Sequence, residues 1–422
     1  MPSRITPIVA LSLFAAVVLA GCRQDAPPPK PLDYAAELPP GQKALRKLEP
    51  ANYPDFAAMN TDRAALVRAV DHSLTYLAHP SSRQFFPYLD ITHERAVRSL
   101  QELRALAASP GAVDWNREVR ARFDVYQSVG APKADGAGYT GQVLFTGYFT
   151  PIYDASLTRT GPYQWPLYKR PRDLVTDNVG EGVYRRAGNA PAGGGPVPVE
   201  AGRYPTRAEI ERGNLLAGQE LVWLKTRWEA YVITVQGSAR LRLTDGRIYE
   251  VGFAGTNGHD YASPGEQMIR DGVIAKPQLT LAGLRAYFEQ HPEQMDRYLW
   301  VNPRMIFFTE RPGGPYGSLN VPVTPGASIA TDKAVFPRAL PAYVVTTVRM
   351  FSPLHRNVTP SQAFGGEPTE RVSFRGLMID QDTGGAIRSA GRCDLYMGVG
   401  PEAEQAAGGQ LFPGQLYYLV AK

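Results

Sequence analysis

Cysteine is nearly absent from this chain of 422 residues, which contains two, Cys22 and Cys393. Two cysteines so far apart argue against a disulfide framework. Histidine is also scarce, and His72, His79 and His93 do not have the spacing of a metal site. The chain lacks a Walker sequence, a strand-linked Gly-x-Gly-x-x-Gly and a Gly-x-Ser-x-Gly elbow. We therefore expect no metal and no organic cofactor.

Charge of one sign is not concentrated anywhere in the sequence. The formal net charge is +5, and no basic stretch is interleaved with aromatic residues. This pattern argues against a nucleic-acid partner. Charged residues make up only 20% of the chain, whereas glycine and proline are frequent, which favours a β-rich protein over a helical bundle. The length suffices for two or three domains.

The N-terminal apolar run, from Ile8 to Ala20, is too short for a comfortable membrane span. Arg4 precedes it and Leu19-Ala20-Gly21-Cys22 ends it, which is the pattern of a bacterial lipoprotein signal. We predict that residues 1–21 are a signal peptide and that Cys22 is acylated; an ordinary secretory signal is the alternative. Arg23, rather than Asp, after the cysteine indicates an outer-membrane lipoprotein facing the periplasm. The Pro-rich residues 22–50 are predicted to form a tether.

Periodic patterns predict helices near the N-terminus and strands after residue 142. Apolar residues at helical spacing predict helices over residues 61–79 and 92–107. Thr206 and Glu209 form a capping box for a further short helix. Alternating apolar residues predict a strand over Tyr231–Gln236, and Asp245-Gly246 predicts a hairpin turn.

Residues 378–397, MIDQDTGGAIRSAGRCDLYM, contain the strongest candidate for a catalytic site. The segment begins as a buried strand, breaks at Gly384-Gly385, where backbone can approach a ligand, and continues as a second predicted strand. Asp382 and Asp394 are then expected on neighbouring strands beside a glycine turn. Two carboxylates in that arrangement suit acid–base chemistry on a neutral substrate. From spacing alone, two turn or capping aspartates are the alternative.

This segment resembles the three-aspartate region of the membrane-bound lytic murein transglycosylase A family. The family pattern Asp-x-Gly-Gly-Ala-Ile-[Lys/Arg], followed by a second Asp before an apolar-aromatic pair, corresponds to Asp382 and Asp394. The family's first aspartate lies in Ser-x-Ala-x-Asp ahead of a proline, which corresponds here to Asp332 and Pro337. Asp380 is an extra acid that the pattern does not require.

Other segments resemble further motifs of the same family. Val143–Pro151 resembles Phe-Thr-Gly-Tyr-[Tyr/Phe]-Thr-Pro, a strand whose hydroxyls and aromatic faces suit sugar binding. A core strand with polar residues facing outward is the alternative. Val235–Ser238 and Phe253–Tyr261 are also similar to family motifs. The candidate substrate-binding residues are Phe145, Thr146, Gly147, Tyr148, Thr150, Gln236, Gly237, Ser238, Asn257, His259, Tyr261, Gly384 and Gly385.

The resemblance implies a mainly β fold. It predicts a double-psi β-barrel catalytic domain with a second, inserted β-barrel-like domain, plus N-terminal helices. Residues 51–150 would hold the helices and the first part of the barrel domain, residues 151–310 the inserted domain, and residues 311–422 the three-aspartate part of the barrel. A glycan strand would lie in a groove between the two domains.

The resemblance also implies an activity. The family cleaves the β-1,4 bond between N-acetylmuramic acid and N-acetylglucosamine in peptidoglycan without water, forming a 1,6-anhydromuramyl end during cell-wall remodelling and recycling. Asp394 would be the general acid–base, and Asp382 and Asp332 would raise its pKa by like charge or orient it. The alternatives are a glycan-binding protein that cuts nothing, or a water-using muramidase with Asp382 or Asp380 as its second carboxylate.

The expected partners follow from the same reasoning. Peptidoglycan glycan strands would be the substrate, and the lipid on Cys22 would attach the protein to the membrane. Proteins of cell-wall synthesis or degradation are candidate partners, and nucleic acid is not.

Overall fold

The computed structural model describes residues 31–175, 185–186, 204–349 and 371–422. The predicted signal peptide, Cys22 and the first part of the predicted tether lie outside the described residues. Within these ranges, no helix combines the length and the apolar composition needed to cross a membrane.

The strands are numbered in chain order over the described residues. They are β1 (Leu45–Lys47), β2 (Phe123–Ser128), β3 (Val143–Thr150), β4 (Ile152–Ser156), β5 (Trp165–Tyr168), β6 (Leu174–Val175), β7 (Arg185–Arg186), β8 (Glu220–Leu224), β9 (Ser238–Leu243), β10 (Ile248–Thr256), β11 (Ile306–Glu310), β12 (Ser328–Ala330), β13 (Pro341–Arg349), β14 (Arg371–Asp382), β15 (Arg392–Val399) and β16 (Leu411–Ala421).

The α-helices of the same ranges are numbered likewise. They are α1 (Arg63–Ala78), α2 (His93–Ala108), α3 (Trp115–Arg122), α4 (Arg207–Gly213), α5 (Arg227–Gln236), α6 (Pro264–Arg270), α7 (Leu281–Gln290), α8 (Met295–Leu299) and α9 (Pro401–Gly408).

Six strands close into a barrel, in the order β3, β16, β13, β14, β12, β15 and back to β3. The β12–β14 and β15–β3 pairs are parallel and the other four are antiparallel. Closure leaves these strands without a free edge. Strands β2 and β1 continue the sheet outward from β16. The mixed, closed barrel confirms the predicted fold class.

Helices α1 and α2 confirm the two predicted N-terminal helices. Their N-caps, Asp62 and Thr92, each accept a hydrogen bond from the backbone N–H three residues on. The helices pack against each other, α1 contacts β14 and α2 contacts β16. Leu66, Val70 and Leu100 are fully buried, and burial of each stabilises the fold by about 1.5–3 kcal/mol.

A second sheet has the order β11, β10, β9, β4, β8 and β5. All of its strands fall between Ile152 and Glu310, and it has its own core around Val222 and Leu241. The hairpin predicted at Asp245-Gly246 is confirmed, because β9 and β10 pair antiparallel across it. Gly246 adopts φ 86°, the left-handed conformation that favours glycine.

The strand predicted over Tyr231–Gln236 is wrong, because this segment forms the second half of helix α5. Thr226 and Glu229 form a capping box at its start, and Gly237 ends it at φ 79°. Residues 231–234 are all buried. Burial on every side hides the helical period, so that the apolar run imitates a strand.

The end of the predicted tether is packed on the barrel. Strand β1 pairs with β2, and Leu45 is buried. Further back, the Tyr34 carbonyl accepts a hydrogen bond of 2.8 Å from the Ser389 hydroxyl. Residues 45–50 of the predicted tether are therefore part of the folded domain.

Candidate active site

A cavity of about 480 Å³ has walls from both sheets. The barrel contributes the C-terminal end of β14, the glycine turn that follows it and parts of β3 and β15. The other wall comes from the end of helix α5, strand β10 and the segments around β11. The cavity volume is within the range of small-molecule binding sites.

Ala330, the last residue of β12, lies between the two aspartates of the cavity. It pairs with Asp382 of β14 on one side and with Asp394 of β15 on the other. The prediction that the aspartates lie on neighbouring strands is wrong, because β12 is inserted between β14 and β15. Their backbones are therefore about 10 Å apart, two strand spacings. Both residues nevertheless line the same cavity.

Asp394 is held by strand β3. It pairs in register with Thr146, and the Thr146 hydroxyl donates a short hydrogen bond to its carboxylate. Arg392, on the same face of β15, donates to the Thr146 hydroxyl oxygen at 3.2 Å. Burial raises the pKa of Asp394, while the Arg392 charge and the Thr146 hydrogen bond act in the opposite direction. Desolvation, and not the like charge expected from Asp382 and Asp332, therefore favours its protonated form.

Asp382 ends strand β14, where the backbone secures its carboxylate. Its Oδ1 accepts hydrogen bonds from the N–H groups of Ser318, at 2.7 Å, and Thr383, at 2.8 Å. Burial raises the pKa of Asp382 to about 6, although these N–H groups favour the ionised form. The cavity thus contains two carboxyl groups with raised pKa values in different hydrogen-bond environments.

Tyr148 of β3 lines the cavity close to both aspartates. Its ring lies 5.0 Å from that of Tyr396. Its hydroxyl is buried beside the Asp382 carboxyl group, and its hydrogen bond to that group favours the ionised form of Asp382. Burial and the charge of Asp382 raise its pKa, so that it remains a neutral hydroxyl. A neutral hydroxyl in the cavity wall next to Asp382 can also accept a hydrogen bond from a polar substrate group.

Asp332 and Asp380 do not line this cavity. The Asp332 carboxylate accepts hydrogen bonds from the N–H groups of Ala334 and Ser389, and so ties down the loop that joins β14 to β15. Asp380 is fully buried and forms an ion pair with Lys333. An acid engaged in this way cannot activate a water molecule in the cavity.

The predicted substrate-binding residues divide into two groups. Those in the cavity wall are Thr146, Gly147, Tyr148, Gln236, Gly237, Ser238, Tyr261, Gly384 and Gly385. Those outside it are Phe145, Thr150, Asn257 and His259.

The residues outside the wall have other partners. Phe145 is in the barrel core, and the Thr150 hydroxyl lies 3.0 Å from the Tyr396 hydroxyl. Asn257 is fully buried, with its amide bonded to backbone groups of Pro205, Pro303 and Met305. His259 Nε2 lies 2.8 Å from the Tyr204 carbonyl oxygen. The direct ligand contact predicted for Asn257 is therefore not available in this conformation, whereas His259 is half-buried and its contact with a ligand stays a prediction.

Several arginines of the wall were not predicted. They are Arg304, Arg311, Arg338, Arg388 and Arg392. Arg392 could have been found from the alternation of β15, since it lies two residues before Asp394 and shares its face. A Cβ on Gly385 would come within 2.8 Å of Arg304 Nε. Glycine there lets the arginine from the other wall pack against the turn.

The arrangement combines a protonatable carboxyl group, a second carboxyl fixed by backbone, a neutral hydroxyl and several guanidinium groups. Such a site can donate and remove a proton on a neutral substrate that also carries polar or anionic groups.

Comparison with known proteins gives family matches in both halves of the chain. A model described as the MltA specific insert domain matches residues 144–309, and one described as the 3D domain matches residues 327–420. Membrane-bound lytic murein transglycosylase A of Escherichia coli K12 is 31% identical over 294 residues, which are 69% of this chain and 69% of that protein. The protein of the same name from Vibrio cholerae is 28% identical over 68% of each chain.

Solved structures share the fold. A membrane-bound lytic murein transglycosylase from Agrobacterium tumefaciens superposes with a TM-score of 0.68 at 23% identity, covering 90% of this chain and 98% of that one. E. coli MltA with bound chitohexaose gives a TM-score of 0.63 at 24% identity, covering 94% and 99%. The lytic transglycosylase LtgG of Burkholderia pseudomallei gives 0.50 at 28% identity, covering 92% and 100%.

Proposed function

This chain belongs to the membrane-bound lytic murein transglycosylase A family, and from this membership we infer that it is a lytic transglycosylase. It is an enzyme that acts on peptidoglycan. It cleaves the β-1,4 bond between N-acetylmuramic acid and N-acetylglucosamine and leaves a 1,6-anhydromuramyl end, in cell-wall remodelling and recycling. The assignment of roles rests on the carboxyl group of Asp394, which has a raised pKa and lines the 480 Å³ cavity between the two sheets, called the groove below.

We propose Asp394 as the general acid and then the general base. Its protonated carboxyl donates a proton to the glycosidic oxygen as the bond from that oxygen to C1 breaks. The carboxylate then takes the proton of the muramyl C6 hydroxyl, whose oxygen bonds to C1 and closes the anhydro ring. The carboxyl regains its proton and no water is consumed. The raised pKa supports the first step, because it enlarges the protonated fraction near neutral pH.

Asp382 and Asp332 are assigned supporting roles. The carboxylate of Asp382, held by Ser318 and Thr383, is suited to stabilise the positive charge that develops at the sugar. Asp332 is a positioning residue, since it holds the Ser389 backbone and thereby the loop that carries the glycine turn.

The glycan is proposed to bind along the cavity wall. Gln236, which ends helix α5, and Ser238, which begins β9, are suitable contacts because both line the cavity. Both are fixed to β3: the Phe149 N–H donates to Gln236 Oε1 at 3.1 Å, and the Thr150 and Ser238 hydroxyls lie 3.1 Å apart. The four predicted residues outside the wall would affect glycan binding indirectly, by positioning the residues that they contact. They are Phe145, Thr150, Asn257 and His259. Under this proposal the second sheet is the inserted domain, residues 151–310, and the barrel is completed by residues 311–422.

The product decides between this function and its rivals. Purified murein sacculi digested by the protein should release muropeptides with an anhydro end, which is lighter than a hydrolysed end by one water. Mass spectrometry of the digest checks this. Reducing-end products would indicate a water-using muramidase, and binding to sacculi without release would indicate a glycan-binding protein.

The Leu19-Ala20-Gly21-Cys22 sequence supports a lipid anchor in the outer membrane, facing the periplasm. Cys22→Ser should yield a soluble periplasmic protein that still cleaves sacculi, because Asp394 and the cavity wall around it come from residues 146–396. Membrane fractionation and mass analysis of the mature N-terminus are the measurements. An unmodified N-terminus on soluble wild-type protein would refute the anchor.

A further inference from the structure

A second cavity, of about 390 Å³, lies beside the second sheet. Helix α5 separates it from the groove, since Thr234 lines both cavities, Gln236 lines the groove and Arg227 lines the second cavity. Neither aspartate of the groove is part of it. The second cavity and the proposed glycan groove therefore lie on opposite sides of helix α5.

Three of the arginines that line it lie over tryptophan rings. The Cζ atoms of Arg212 and Arg227 lie 4.0 Å and 4.9 Å from the ring centroid of Trp300. Arg159 lies 5.5 Å from the ring of Trp223. Stacking holds a guanidinium in place while its N–H groups remain available, so little further freedom is lost when it binds an anion.

The inner arginines of the cavity are already neutralised. The Glu211 carboxylate binds Arg207, Arg227 and the Trp300 indole N–H. Arg227 also pairs with Asp296. Among the residues that the structure describes, Glu211 and Asp296 thus balance the charges of Arg207 and Arg227.

The outer arginines differ from these. Arg212 is exposed and, among the described residues, makes no hydrogen bond or ion pair beyond its stacking on Trp300. Arg159 is exposed, and within the described ranges its one hydrogen-bond acceptor is the amide oxygen of Gln164, at 2.7 Å. Glu220 is the remaining acid of the wall. The rim thus presents two prearranged guanidinium groups against one carboxylate.

Guanidinium groups of this kind bind carboxylates through paired hydrogen bonds. We propose that the second cavity binds the carboxylate-bearing peptide arm of the peptidoglycan strand whose glycan lies in the groove. The inference rests on the proposed function, because it takes the groove to be the glycan site. It adds a recognition element for peptide-substituted strands.

The distances allow one strand to reach both cavities. Nine residues separate Arg227 from Gln236 on helix α5, which corresponds to about 13.5 Å along its axis. An extended peptide of three or four residues spans roughly 10–14 Å. A peptide attached to a muramyl unit near Gln236 can therefore extend along the helix to Arg227, whose guanidinium shares the Trp300 ring with that of Arg212.

The test compares two substrates with one double variant, Arg159→Gln with Arg212→Gln. The substrates are glycan strands that carry their peptides and the same strands after amidase treatment. We expect kcat/KM on the peptide-bearing strands to fall about tenfold or more, the effect of losing two charge-assisted contacts. On the peptide-free strands it should be unchanged. Arg98→Gln, an exposed arginine of α2, is the control and should match the wild type on both.

A binding titration tests the cavity without catalysis. The tripeptide L-alanyl-γ-D-glutamyl-diaminopimelate, added to the wild type, should change the tryptophan fluorescence in a saturable way that the double variant loses. Equal activity of variant and wild type on both substrates, or tripeptide binding that the double variant retains, would overturn the inference. A wild type that releases no anhydro product from either substrate would refute the proposed function instead, and the titration would then decide the inference alone.

Discussion

Replacing Asp394 by Asn should reduce the release of anhydro-muropeptides at least ~10²–10⁴-fold, the range of general acid–base catalysis. Asn preserves the shape of the side chain and can still accept the hydrogen bond from Thr146, but it can neither donate nor take up the proton that the reaction moves. Glycan binding should be retained, because the rest of the wall is unchanged. Initial rates on sacculi and binding of chitohexaose are the two measurements.

Two further variants make the result specific. Asp382→Asn should reduce activity less than Asp394→Asn, because the proposed role of Asp382 is electrostatic. If the loss of activity instead comes from a loss of folding, thermal unfolding would reveal it. Asp135→Asn, at an exposed loop position outside the groove, should behave as the wild type. A fully active Asp394→Asn protein would exclude the proposed mechanism and direct attention to Asp382.

The fold was predictable from the sequence where a local signal, such as a helix cap or a glycine turn, determines the structure. The caps at Asp62 and Thr92 and the glycine turn after Asp245 each fix a boundary by local hydrogen bonds or backbone freedom. Helix α5 was misread because its apolar residues face protein on several sides, although the Thr226–Glu229 capping box was present in the sequence. The three-residue strand β12 is too short to have a period, and so its position between the aspartates was not foreseen.

The site was predictable where its residues share a strand or turn. Asp394 and Thr146 meet through strand register, and the motifs already pointed to both. Arg304 and Arg311 reach the cavity from the second sheet. Their spacing in the sequence does not indicate that they lie near the aspartates of the barrel. Asn257 was mistaken for a ligand contact because a buried loop must satisfy its backbone groups, and the sequence does not reveal which side chain does so.

The ion pair of Lys333 and Asp380 inside the barrel leads to the largest expected effect on stability. Both side chains are fully inaccessible to solvent. The Asp380 carboxylate also accepts hydrogen bonds of 2.7 Å from the hydroxyls of Thr331 and Tyr418. Lys333→Met removes the cation and leaves a buried carboxylate, which typically costs 3–5 kcal/mol. Urea unfolding should report a loss of about this size.

The double variant Lys333→Met with Asp380→Asn separates the charge from the packing. Asn keeps an acceptor for Thr331 and Tyr418 while removing the unpaired charge, so the double variant should be more stable than Lys333→Met alone. Lys47→Met breaks an ion pair with Asp124 in which the lysine side chain is 50% exposed, and it should cost about 0–1 kcal/mol. If Lys333→Met cost no more than Lys47→Met, the expectation that an unpaired buried carboxylate destabilises the barrel would be wrong. Because Lys333 also lowers the pKa of Asp382 from behind the groove, its loss should raise that pKa further and extend to higher pH the range in which Asp382 is protonated.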